Sequence, residues 1–478
     1  MNSENSERSP SGILGLDEII GGGFPRGSLI MLVGEPGTGK TTFSAQFLYR
    51  GAVDCGEKGI YVSFAEDKKS FLKNMLYLGF NFEELEKRGL FIFREYLTVR
   101  ETGLPETIDS ILRDVSTFEA RRLVIDSFTA LAQAFMEPHE VRVLLHSLLS
   151  KFIKFRGCTS IIIIEKPYGK KMLGLGIEEF VADCIFLLKI SRYCGRGARE
   201  LKILKTKGSP TFERHLFFTL KDGFRVLQPF KFKHVEKPCR FKPRPDTELC
   251  FSTGSRDLDE MLGGGYPRGS IVLVDVDPRV TAEYHLIVTP IIWNFIAQGR
   301  GVIITPSPGV DHNLVRRRIE GGGFTRDEIN RLLRVCIKRY PEFELEQYIY
   351  LLEGEDPERD LSNCFMLERE LAKLTGQPVL RLIGVDTLMD IYDPEKIPSI
   401  FRALATWTKS TSSLGIAILK PGTPRLRKFV SAIADLHLKV TRRHGTVLVY
   451  GIKPRTKLHA LEMDVSEGCP MPRLTPII

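Results

Sequence analysis

The sequence predicts an α/β protein with two tandem domains, each a mostly parallel, doubly wound sheet flanked by helices. The main observation is a repeat: residues 21–28 read GGGFPRGS and residues 263–270 read GGGYPRGS, at a constant offset of 242 residues. In addition, short apolar runs of the buried-strand type alternate with segments that can form helices. This alternation favours parallel strands, with any ligand at their carboxyl ends.

A phosphate-binding loop follows the first apolar run. Residues 34–41 read GEPGTGKT, which fits the pattern G-x-x-x-x-G-K-[ST], between the apolar run 29–33 and the helix-compatible stretch 41–50. Backbone N–H groups of such a loop point at phosphate oxygens, and the following helix adds its positive end. This context disfavours a chance match in a glycine-rich turn. The predicted nucleotide-binding residues are Gly34, Glu35, Pro36, Gly37, Thr38, Gly39, Lys40, Thr41 and Thr42.

Two side chains of this loop have specific roles, and a carboxylate from a later strand is part of the same predicted site. We expect Lys40 to reach the β- and γ-phosphates of ATP, and the hydroxyl of Thr41 to ligate Mg²⁺. Residues 122–126 read RLVID, a buried strand that ends in Asp126. Many such strands end in an Asp that only caps a helix. Because this strand follows a phosphate-binding loop, we assign Asp126 to Mg²⁺.

The second copy of the repeat has lost this loop. At the same offset, Arg279, Thr281, Ala282 and Glu283 stand where the first copy has Gly37, Gly39, Lys40 and Thr41. Glu283 would place a negative charge where phosphate should lie, so we expect one nucleotide site per chain. The second half keeps Asp386 at the end of the apolar run 382–385, which we interpret as a structural anchor.

Length and composition indicate an ordinary globular chain of two domains. It has 478 residues, of which 43% are hydrophobic and 27% are charged. No apolar run approaches a membrane span, the polar N-terminus lacks a signal-peptide core, and the nine cysteines form no C-x-x-C pair. We therefore expect reduced thiols and a cytoplasmic protein. The expected boundaries are a polar tail at 1–10, a nucleotide-binding domain at 11–229, a linker at 230–247 and a degenerate domain at 248–478.

The net charge of +9 is concentrated between the two domains. Residues 230–247 contain six Lys/Arg and two Asp/Glu, so this short segment supplies +4 of the total. Its three prolines predict an extended connector. Interleaved basic and aromatic residues are compatible with nucleic-acid binding, but we favour a linker that packs on an acidic neighbouring face.

Together these motifs resemble the KaiC-like branch of the RecA superfamily of ATPases. The resemblance is carried by residues 12–42, 59–90 (particularly 81–86, NFEELE), 123–131, 176–183 and 204–209, in family order. These stretches cover the first domain. The second domain retains the opening segment, residues 382–386, and Asp435 opposite Asp183. Tandem domains are common in this family, so the resemblance implies two RecA-like domains, the second one degenerate.

The resemblance implies a ring, commonly a hexamer, with ATP between neighbouring subunits. One subunit supplies the loop and a carboxylate that activates water, and the next inserts a basic pair, usually Lys-x-Arg followed by Gly and a small hydroxyl residue. Here the pair is Lys205 and Lys207, in the run KTKGS on what we take to be an edge strand. Relatives often have two adjacent glutamates after the second strand. Here these positions are Ala65 and Glu66, so Glu66 is the candidate base.

Both catalytic positions are weaker than the family pattern. A lysine neutralises charge but cannot bind bidentately as arginine does, and Glu66 lacks its usual acidic neighbour. The alternative is that Glu66 is only a solvent-facing acid. We therefore expect a homo-oligomer that binds ATP and Mg²⁺ and hydrolyses ATP slowly, in the first domain only. In the second domain Lys453 and Arg455 take the place of the basic pair, and Pro308 takes that of Glu66.

Three functions remain open from the sequence. The first is a nucleotide-dependent oligomeric regulator or scaffold with an unidentified protein partner. The second is a non-hydrolysing ATP sensor, which Ala65 and Lys207 favour. The third is a DNA-acting ATPase of the RecA or RadA kind, which would need DNA-binding loops and usually an extra N-terminal helical module. Because the excess charge lies in the linker, nucleic acid is not the favoured partner.

Overall fold

The computed structural model describes residues 8–96, 104–132, 157–166, 181–209, 213–338, 346–420 and 424–478. The chain divides into two compact units. Unit 1 contains Met1–Pro229 together with Pro476–Ile478, and unit 2 contains Phe230–Thr475. Most of the polar tail (residues 1–7) and of the family-like stretch at 176–183 (residues 176–180) lies outside the described residues.

Unit 1 is built on a nine-stranded sheet. Its strands, with the two-stranded sheet β1–β2, are β1 (Arg8–Ser9), β2 (Phe24–Pro25), β3 (Leu29–Gly34), β4 (Gly59–Ser63), β5 (Phe91–Glu95), β6 (Arg122–Asp126), β7 (Thr159–Glu165), β8 (Cys184–Tyr193), β9 (Arg196–Thr206), β10 (His215–Thr219) and β11 (Arg225–Leu227). The order is β11-β10-β9-β8-β3-β7-β6-β4-β5. The strands from β8 to β5 are parallel, and β9, β10 and β11 continue the sheet in antiparallel pairs.

The helices of unit 1 cover both faces of this sheet. The described ones are α1 (Lys40–Cys55), α2 (Lys68–Tyr77), α3 (Phe82–Lys87), α4 (Leu104–Phe118) and α5 (Phe128–Ala132). Asp67 and Asn81 start α2 and α3, because their side chains accept hydrogen bonds from the backbone N–H groups of Ser70 and Glu84. Buried apolar residues form one cluster on each face, one around α1 to α3 and the other around α4 and α5.

Unit 2 repeats the architecture with a ten-stranded sheet. Its strands, with the two-stranded sheet β12–β13, are β12 (Cys250–Phe251), β13 (Tyr266–Pro267), β14 (Ser270–Val276), β15 (Val302–Thr305), β16 (Leu333–Lys338), β17 (Ile349–Leu352), β18 (Leu380–Gly384), β19 (Leu414–Leu419), β20 (Leu436–Arg443), β21 (Thr446–Lys453), β22 (His459–Asp464) and β23 (Met471–Pro476). The order is β17-β16-β15-β18-β19-β14-β20-β21-β22-β23, parallel from β17 to β20. Both units therefore confirm the predicted fold class.

The helices of unit 2 again lie on both faces. They are α6 (Arg256–Leu262), α7 (His285–Ala297), α8 (His312–Glu320), α9 (Arg326–Leu332), α10 (Pro357–Thr375), α11 (Val385–Ile391), α12 (Ile397–Ser410) and α13 (Pro424–Ile433). Asp311 caps α8 by accepting a hydrogen bond from Leu314 N, as Asp67 caps α2 in unit 1. None of the described helices is long and apolar enough to cross a membrane.

One anchoring contact is the same in both units. Asp183 accepts a hydrogen bond from Leu29 N at 3.1 Å through Oδ2, and its own N–H donates to Leu29 O at 2.9 Å. Asp435 makes the same two contacts with Ile271, at 2.9 and 2.8 Å. In each unit an aspartate just before a strand (β8 or β20) thus bonds the first residues of the strand beside it (β3 or β14). The duplication is therefore visible in hydrogen bonds as well as in sequence.

The basic segment 230–247 has no helix or strand and packs within unit 2. Phe241 is buried, and its ring lies 5.7 Å from that of Trp293. Arg240 donates to both carboxylate oxygens of Glu328, at 2.6 and 3.1 Å. This is the kind of packing on an acidic neighbour that the charge pattern favours. All nine cysteines lie in the described part of the chain and carry free thiols.

Candidate functional site

The glycine-rich loop joins the end of β3 to the start of α1. Gly37 and Gly39 have positive φ values of 74° and 101°, which residues with a Cβ adopt only with strain. A Cβ on Gly34 would lie 2.7 Å from Thr38 Oγ1, so this position also excludes a side chain. The glycines thus allow the tight backbone curve that turns N–H groups inward.

Lys40, the first residue of α1, lies inside that curve. Its Nζ donates hydrogen bonds to the carbonyl oxygens of Gly34 and Glu35, both at 2.9 Å, and the residue is only 7% exposed. Burial lowers the pKa of Lys40, and the charges of Glu165 and Asp126 partly oppose that change. A buried ammonium held by two carbonyl groups can turn towards an anion that enters the loop.

Thr41 and Asp126 meet directly beside the loop. The hydroxyl of Thr41 donates to Asp126 Oδ2 at 2.9 Å, and the hydroxyl of Tyr61 donates to the same oxygen at 2.6 Å. Burial, together with the neighbouring Asp126, raises the pKa of Tyr61 well above its usual value, so the phenol stays a donor. The structure therefore brings together the hydroxyl and the carboxylate that the sequence assigns to Mg²⁺, and these are the oxygen ligands that Mg²⁺ prefers.

Glu66 lies on the same edge of the sheet, just after β4. Its carboxylate accepts a hydrogen bond from Asn74 Nδ2 at 2.8 Å, and its N–H donates to Ser63 Oγ at 2.9 Å. Burial raises the pKa of Glu66. The hydrogen bond from Asn74 opposes that rise, and the charge of Asp126 adds to it. The carboxylate of Glu66 is therefore half-buried, held by Asn74 and within electrostatic reach of Asp126.

Lys205 and Lys207 lie towards the end of the sheet that is opposite to the loop, where the parallel strands begin. Lys205 is opposite Ile185 at the start of β8, while the loop follows Gly34 at the end of β3. Through Ile185, Lys205 is level with Met31, which is three residues or about 10 Å along β3 from Gly34, and Lys207 lies farther from the loop. Lys207 Nζ is 3.0 Å from Asp183 Oδ1. The structure therefore does not bring the basic pair to the loop of its own chain.

The expectation of an edge strand for the basic pair is wrong. Lys205 lies near the end of β9 and Lys207 directly follows this strand, which lies between β8 and β10 inside the sheet. The strands β10 and β11 extend the sheet beyond β9 by two antiparallel pairings. The sequence reasoning missed these strands because they are short and lie close to the linker.

Arg199 is a residue of the site that the sequence reasoning missed. Its Nη1 donates to the carbonyl oxygen of Gly37 at 3.1 Å, and burial lowers its pKa. Arg199 pairs with Ile190 in the β8–β9 hairpin, beyond the point where Leu188 pairs with Gly34. The available signal was a run of basic residues around a Cys-Gly turn, at 192–199 (RYCGRGAR).

The corresponding loop of unit 2 is closed by its own side chains. Glu283 is buried, and its carboxylate accepts a hydrogen bond from Thr281 N at 2.7 Å and pairs with Arg442. Arg279 donates to both carboxylate oxygens of Asp277, at 2.8 and 3.1 Å, and this pairing lowers the pKa of Asp277 to about 2. An internal carboxylate thus lies in the turn that would have to receive phosphate.

The assignment of Asp386 to a strand end is wrong. Strand β18 ends at Gly384, and Asp386 lies in the first turn of α11. Through the central strands, Leu123 aligns with Leu29 and Arg381 aligns with Ile271. The position of Asp126 is therefore taken by Gly384, so unit 2 also lacks the carboxylate of the metal site.

The family comparisons agree with this division of the chain. The family model of the KaiC ATPase matches residues 9–229, and the model named GvpD basic region 2 matches residues 240–321. In this chain the second region has ten Lys/Arg and ten Asp/Glu, so it is not basic overall. The circadian clock protein KaiC2 of Synechocystis sp. (strain ATCC 27184 / PCC 6803 / Kazusa) is 31% identical over 275 residues, which is 56% of this chain and 47% of that protein. This match thus spans about half of the relative's length.

A longer match extends into unit 2. The circadian clock oscillator protein KaiC of Thermostichus vulcanus is 29% identical over 365 residues, which is 74% of this chain and 68% of that protein. Among solved structures, a KaiC-like protein from the hyperthermophilic archaeon Pyrococcus horikoshii OT3 is 34% identical, with a TM-score of 0.42, and covers 46% of this chain and 99% of its own. With the loop and the strand order, the family model and the two sequence matches identify residues 9–229 as a KaiC-like ATPase domain, and unit 2 repeats its sheet without the phosphate-binding loop.

Proposed function

We propose that unit 1 binds one Mg–ATP per chain and hydrolyses it slowly, and that the nucleotide controls assembly of an oligomeric regulator or scaffold. The observation that carries the proposal is the convergence of Lys40, Thr41 and Asp126 at one edge of the sheet, with the Thr41 hydroxyl 2.9 Å from the carboxylate. Lys40 would neutralise the phosphates from inside the loop. Thr41 and Asp126 would hold Mg²⁺, which supplies further charge neutralisation of the phosphates when bound.

The catalytic groups divide between two chains in this proposal. Glu66 orients and deprotonates the attacking water, because its carboxylate lies on the edge that carries the loop. Lys205 and Lys207 act on the nucleotide of a neighbouring subunit, because the sheet separates them from the loop of their own chain. Assembly is therefore part of the site, and a homo-oligomeric ring such as a hexamer satisfies this requirement. Unit 2 then serves as a platform for a protein partner.

A non-hydrolysing ATP sensor is the second candidate, and two positions favour it. Ala65 stands where relatives often have a second acid, and Lys207 is held by Asp183 in an ion pair of 3.0 Å. In that case ATP would hold the assembly together without turnover. The DNA-acting alternative is supported by neither the site nor the charge distribution, and strongly salt-dependent DNA binding would revive it.

Mass in solution and phosphate release, each measured with and without Mg–ATP, test the proposal. We expect one ATP per chain, a larger assembly with Mg–ATP, and slow turnover, on the order of minutes or longer per ATP. Lys40→Ala should weaken ATP binding by about 100-fold or more, since it removes a charge-assisted contact, while the chain stays folded. Lys69→Ala removes an exposed lysine of α2 and is the matched control.

Three outcomes discriminate among the candidates. Two ATP per chain would contradict the assignment of a single site. A chain that stays monomeric at micromolar concentration with saturating Mg–ATP would contradict assembly across the basic pair. Binding and assembly without phosphate release would establish the sensor in place of the slow ATPase.

A further inference from the structure

Unit 2 contains a small, partly open cavity at a place that aromatic rings occupy in unit 1. The cavity measures about 40 Å³ and lies between α7, α8 and the ends of the central strands. Its wall is mostly aliphatic and includes Val288, Ile292, Ile304, Val315 and Ile319. Its polar lining includes His285 and Arg318.

The cavity arises from two large-to-small differences between the units. Counted from the capping residues Asp67 and Asp311, Phe71 of α2 corresponds to Val315 of α8. In the paired strands, Tyr61 lies opposite Val124, and Ile304 lies opposite Leu382 at the same step of the ladder. In unit 1 the Tyr61 and Phe71 rings pack with their centroids 4.5 Å apart. In unit 2 two aliphatic side chains replace them and leave space.

A cation without a carboxylate partner borders this space. Arg318 takes the position of Asn74, again counted from the capping residues. Its Nη1 lies 2.6 Å from His285 Nδ1, and among the described residues no carboxylate forms an ion pair with it. Burial lowers the pKa of Arg318, and burial together with the charges of Arg318 and Lys420 lowers the pKa of His285 to about 2. The imidazole therefore stays neutral and does not compete for an anion.

Two further polar groups lie at the same end of the cavity. Ser307 is 4% exposed and lines it, and its hydroxyl has no hydrogen bond of good geometry. The hydroxyl is close enough to Asp386 to lower the pKa of that carboxyl, but burial has the larger effect and raises it overall. Lys420 acts on Asp386 and donates to Pro308 O at 2.8 Å. Among the described residues that line the cavity, Arg318 is therefore the cation that lacks a partner of opposite charge.

We propose that this cavity binds a small carboxylate with a short apolar chain, with the carboxylate on Arg318 and the alkyl group against Val315 and Ile304. A guanidinium offers two parallel N–H groups to a carboxylate, and a desolvated site strengthens such a contact. The volume exceeds what one water molecule needs, so the cavity has room for a short alkyl chain. Unit 2 thereby acquires a ligand of its own, independent of the nucleotide in unit 1.

Fluorescence titration of the full chain with sodium propionate tests the proposal. Trp293 lies on α7, and its Nε1 donates to Arg318 O at 3.0 Å, so its emission reports on this region. We expect a saturable change with propionate, with an affinity in the roughly millimolar range or tighter. Sodium chloride at equal ionic strength and uncharged propionamide are the controls, and neither should saturate.

Two variants and a matched control locate the site. Arg318→Met should weaken propionate binding by about tenfold or more through loss of the charged contact, and Val315→Phe should do the same by filling the cavity as Phe71 fills unit 1. Arg317→Gln changes the exposed neighbour on the same helix and should bind as the unaltered chain does.

Each result has a defined consequence. If the fluorescence change does not saturate up to about 100 mM propionate, the affinity is weaker than the roughly millimolar value expected, and the proposal is overturned. Equal binding of propionamide would overturn the assignment to an anion, and undiminished binding by Arg318→Met would overturn the placement. If a variant fails to fold, the comparison of propionate with propionamide on the unaltered chain decides the question alone.

Discussion

The two loops occupy the same place in two copies of one sheet, yet they satisfy their polar groups in opposite ways. In unit 1, Lys40 donates to carbonyl groups of its own loop, and Thr41 donates to Asp126. In unit 2, Glu283 accepts from the loop backbone and pairs with Arg442. The first loop can receive an anion, whereas the second already contains one.

This difference shows which contacts belong to the fold and which to the chemistry. The anchors through Asp183 and Asp435 are retained in both units, because they tie the first strand of each sheet. The residues that would meet phosphate, metal and water are retained only in unit 1. A duplicated sheet can therefore lose its ligand and stay folded, provided that side chains of the loop replace the ligand's charge.

Removing the carboxylate of the second loop should give the largest effect. We expect Glu283→Ala to lower the free energy of unfolding of unit 2 by about 3 kcal/mol, because Arg442 and the Thr281 N–H lose a buried partner. Both tryptophans, Trp293 and Trp407, lie in unit 2, so their fluorescence in a denaturant titration follows this unit.

The matched change in unit 1 sharpens the contrast. Thr41→Ala removes one hydrogen bond to Asp126 and should cost only about 1 kcal/mol of stability. It should instead weaken the Mg²⁺ dependence of ATP binding. If Glu283→Ala leaves the tryptophan-monitored transition unchanged, the carboxylate does not stabilise the second loop.

The role of Glu66 predicts the next largest effect. Glu66→Gln should lower phosphate release by about 100-fold and leave ATP binding intact, because the amide can still accept from Asn74 but cannot take a proton. Since burial raises the pKa of Glu66, turnover of the unaltered chain should fall as the pH drops through that raised value. Glu83→Gln, an exposed acid on α3, is the control. An unchanged rate would place the base elsewhere.

The fold could be predicted from sequence because its determinants are local and repeated. The apolar runs at 29–33 and 123–125, the loop between strand and helix, and the repeat at a fixed offset each predict an element that the structure contains. The meeting of Thr41 with Asp126 also follows, because parallel strands bring their carboxyl ends to one edge.

The wrong and missed predictions concern where a strand ends and how far a hairpin extends, which sequence patterns specify weakly. Asp386 was placed at a strand end because an apolar run precedes it, but β18 stops two residues earlier, at Gly384. Arg199 lies three residues into β9, and it reaches the loop because the β8–β9 hairpin extends beyond the level of Gly34. Such contacts depend on how far a hairpin extends, and neither composition nor spacing reports that.

The pKa of His285 makes unit 2 sensitive to acid. Its folded value of about 2 is below the value of 6.5 for an unperturbed histidine, so the unfolded chain binds a proton that the folded unit does not. Stability is therefore present above about pH 6.5 and is lost as the pH falls below it, by about 2 kcal/mol at pH 5.

A paired variant isolates this contribution. His285→Gln should show a smaller loss of stability between pH 7 and pH 5 than the unaltered chain, in denaturant titrations followed by tryptophan fluorescence. The charges of Arg318 and Lys420 act on the imidazole from neighbouring elements. Equal losses in both proteins would show that other groups dominate the acid response of unit 2.

The smallest effect is expected from Lys207→Arg, which restores the family pattern at the basic pair. We expect phosphate release to hold or to rise by only a few-fold, although a full arginine contact is worth about 10³-fold or more elsewhere. Two features limit the gain. An arginine at this position would still face Asp183, which pairs with Lys207 at 3.0 Å, and Glu66 would still lack a second acid beside it.

Mixing two inactive chains tests whether this residue acts between subunits. Lys207→Ala keeps an intact loop but offers no cation, and Lys40→Ala offers the cation but binds no ATP. If Lys207 completes the site of a neighbour, their mixture should hydrolyse ATP faster than either protein alone, because some loops then face an intact Lys207. If Lys207 acted within its own chain, no mixed site would be complete and the rates would only average. Turnover by a single, unassembled chain at the full rate would show that no second subunit is needed. It would then contradict the assignment of Lys207 to the nucleotide site of a neighbouring subunit.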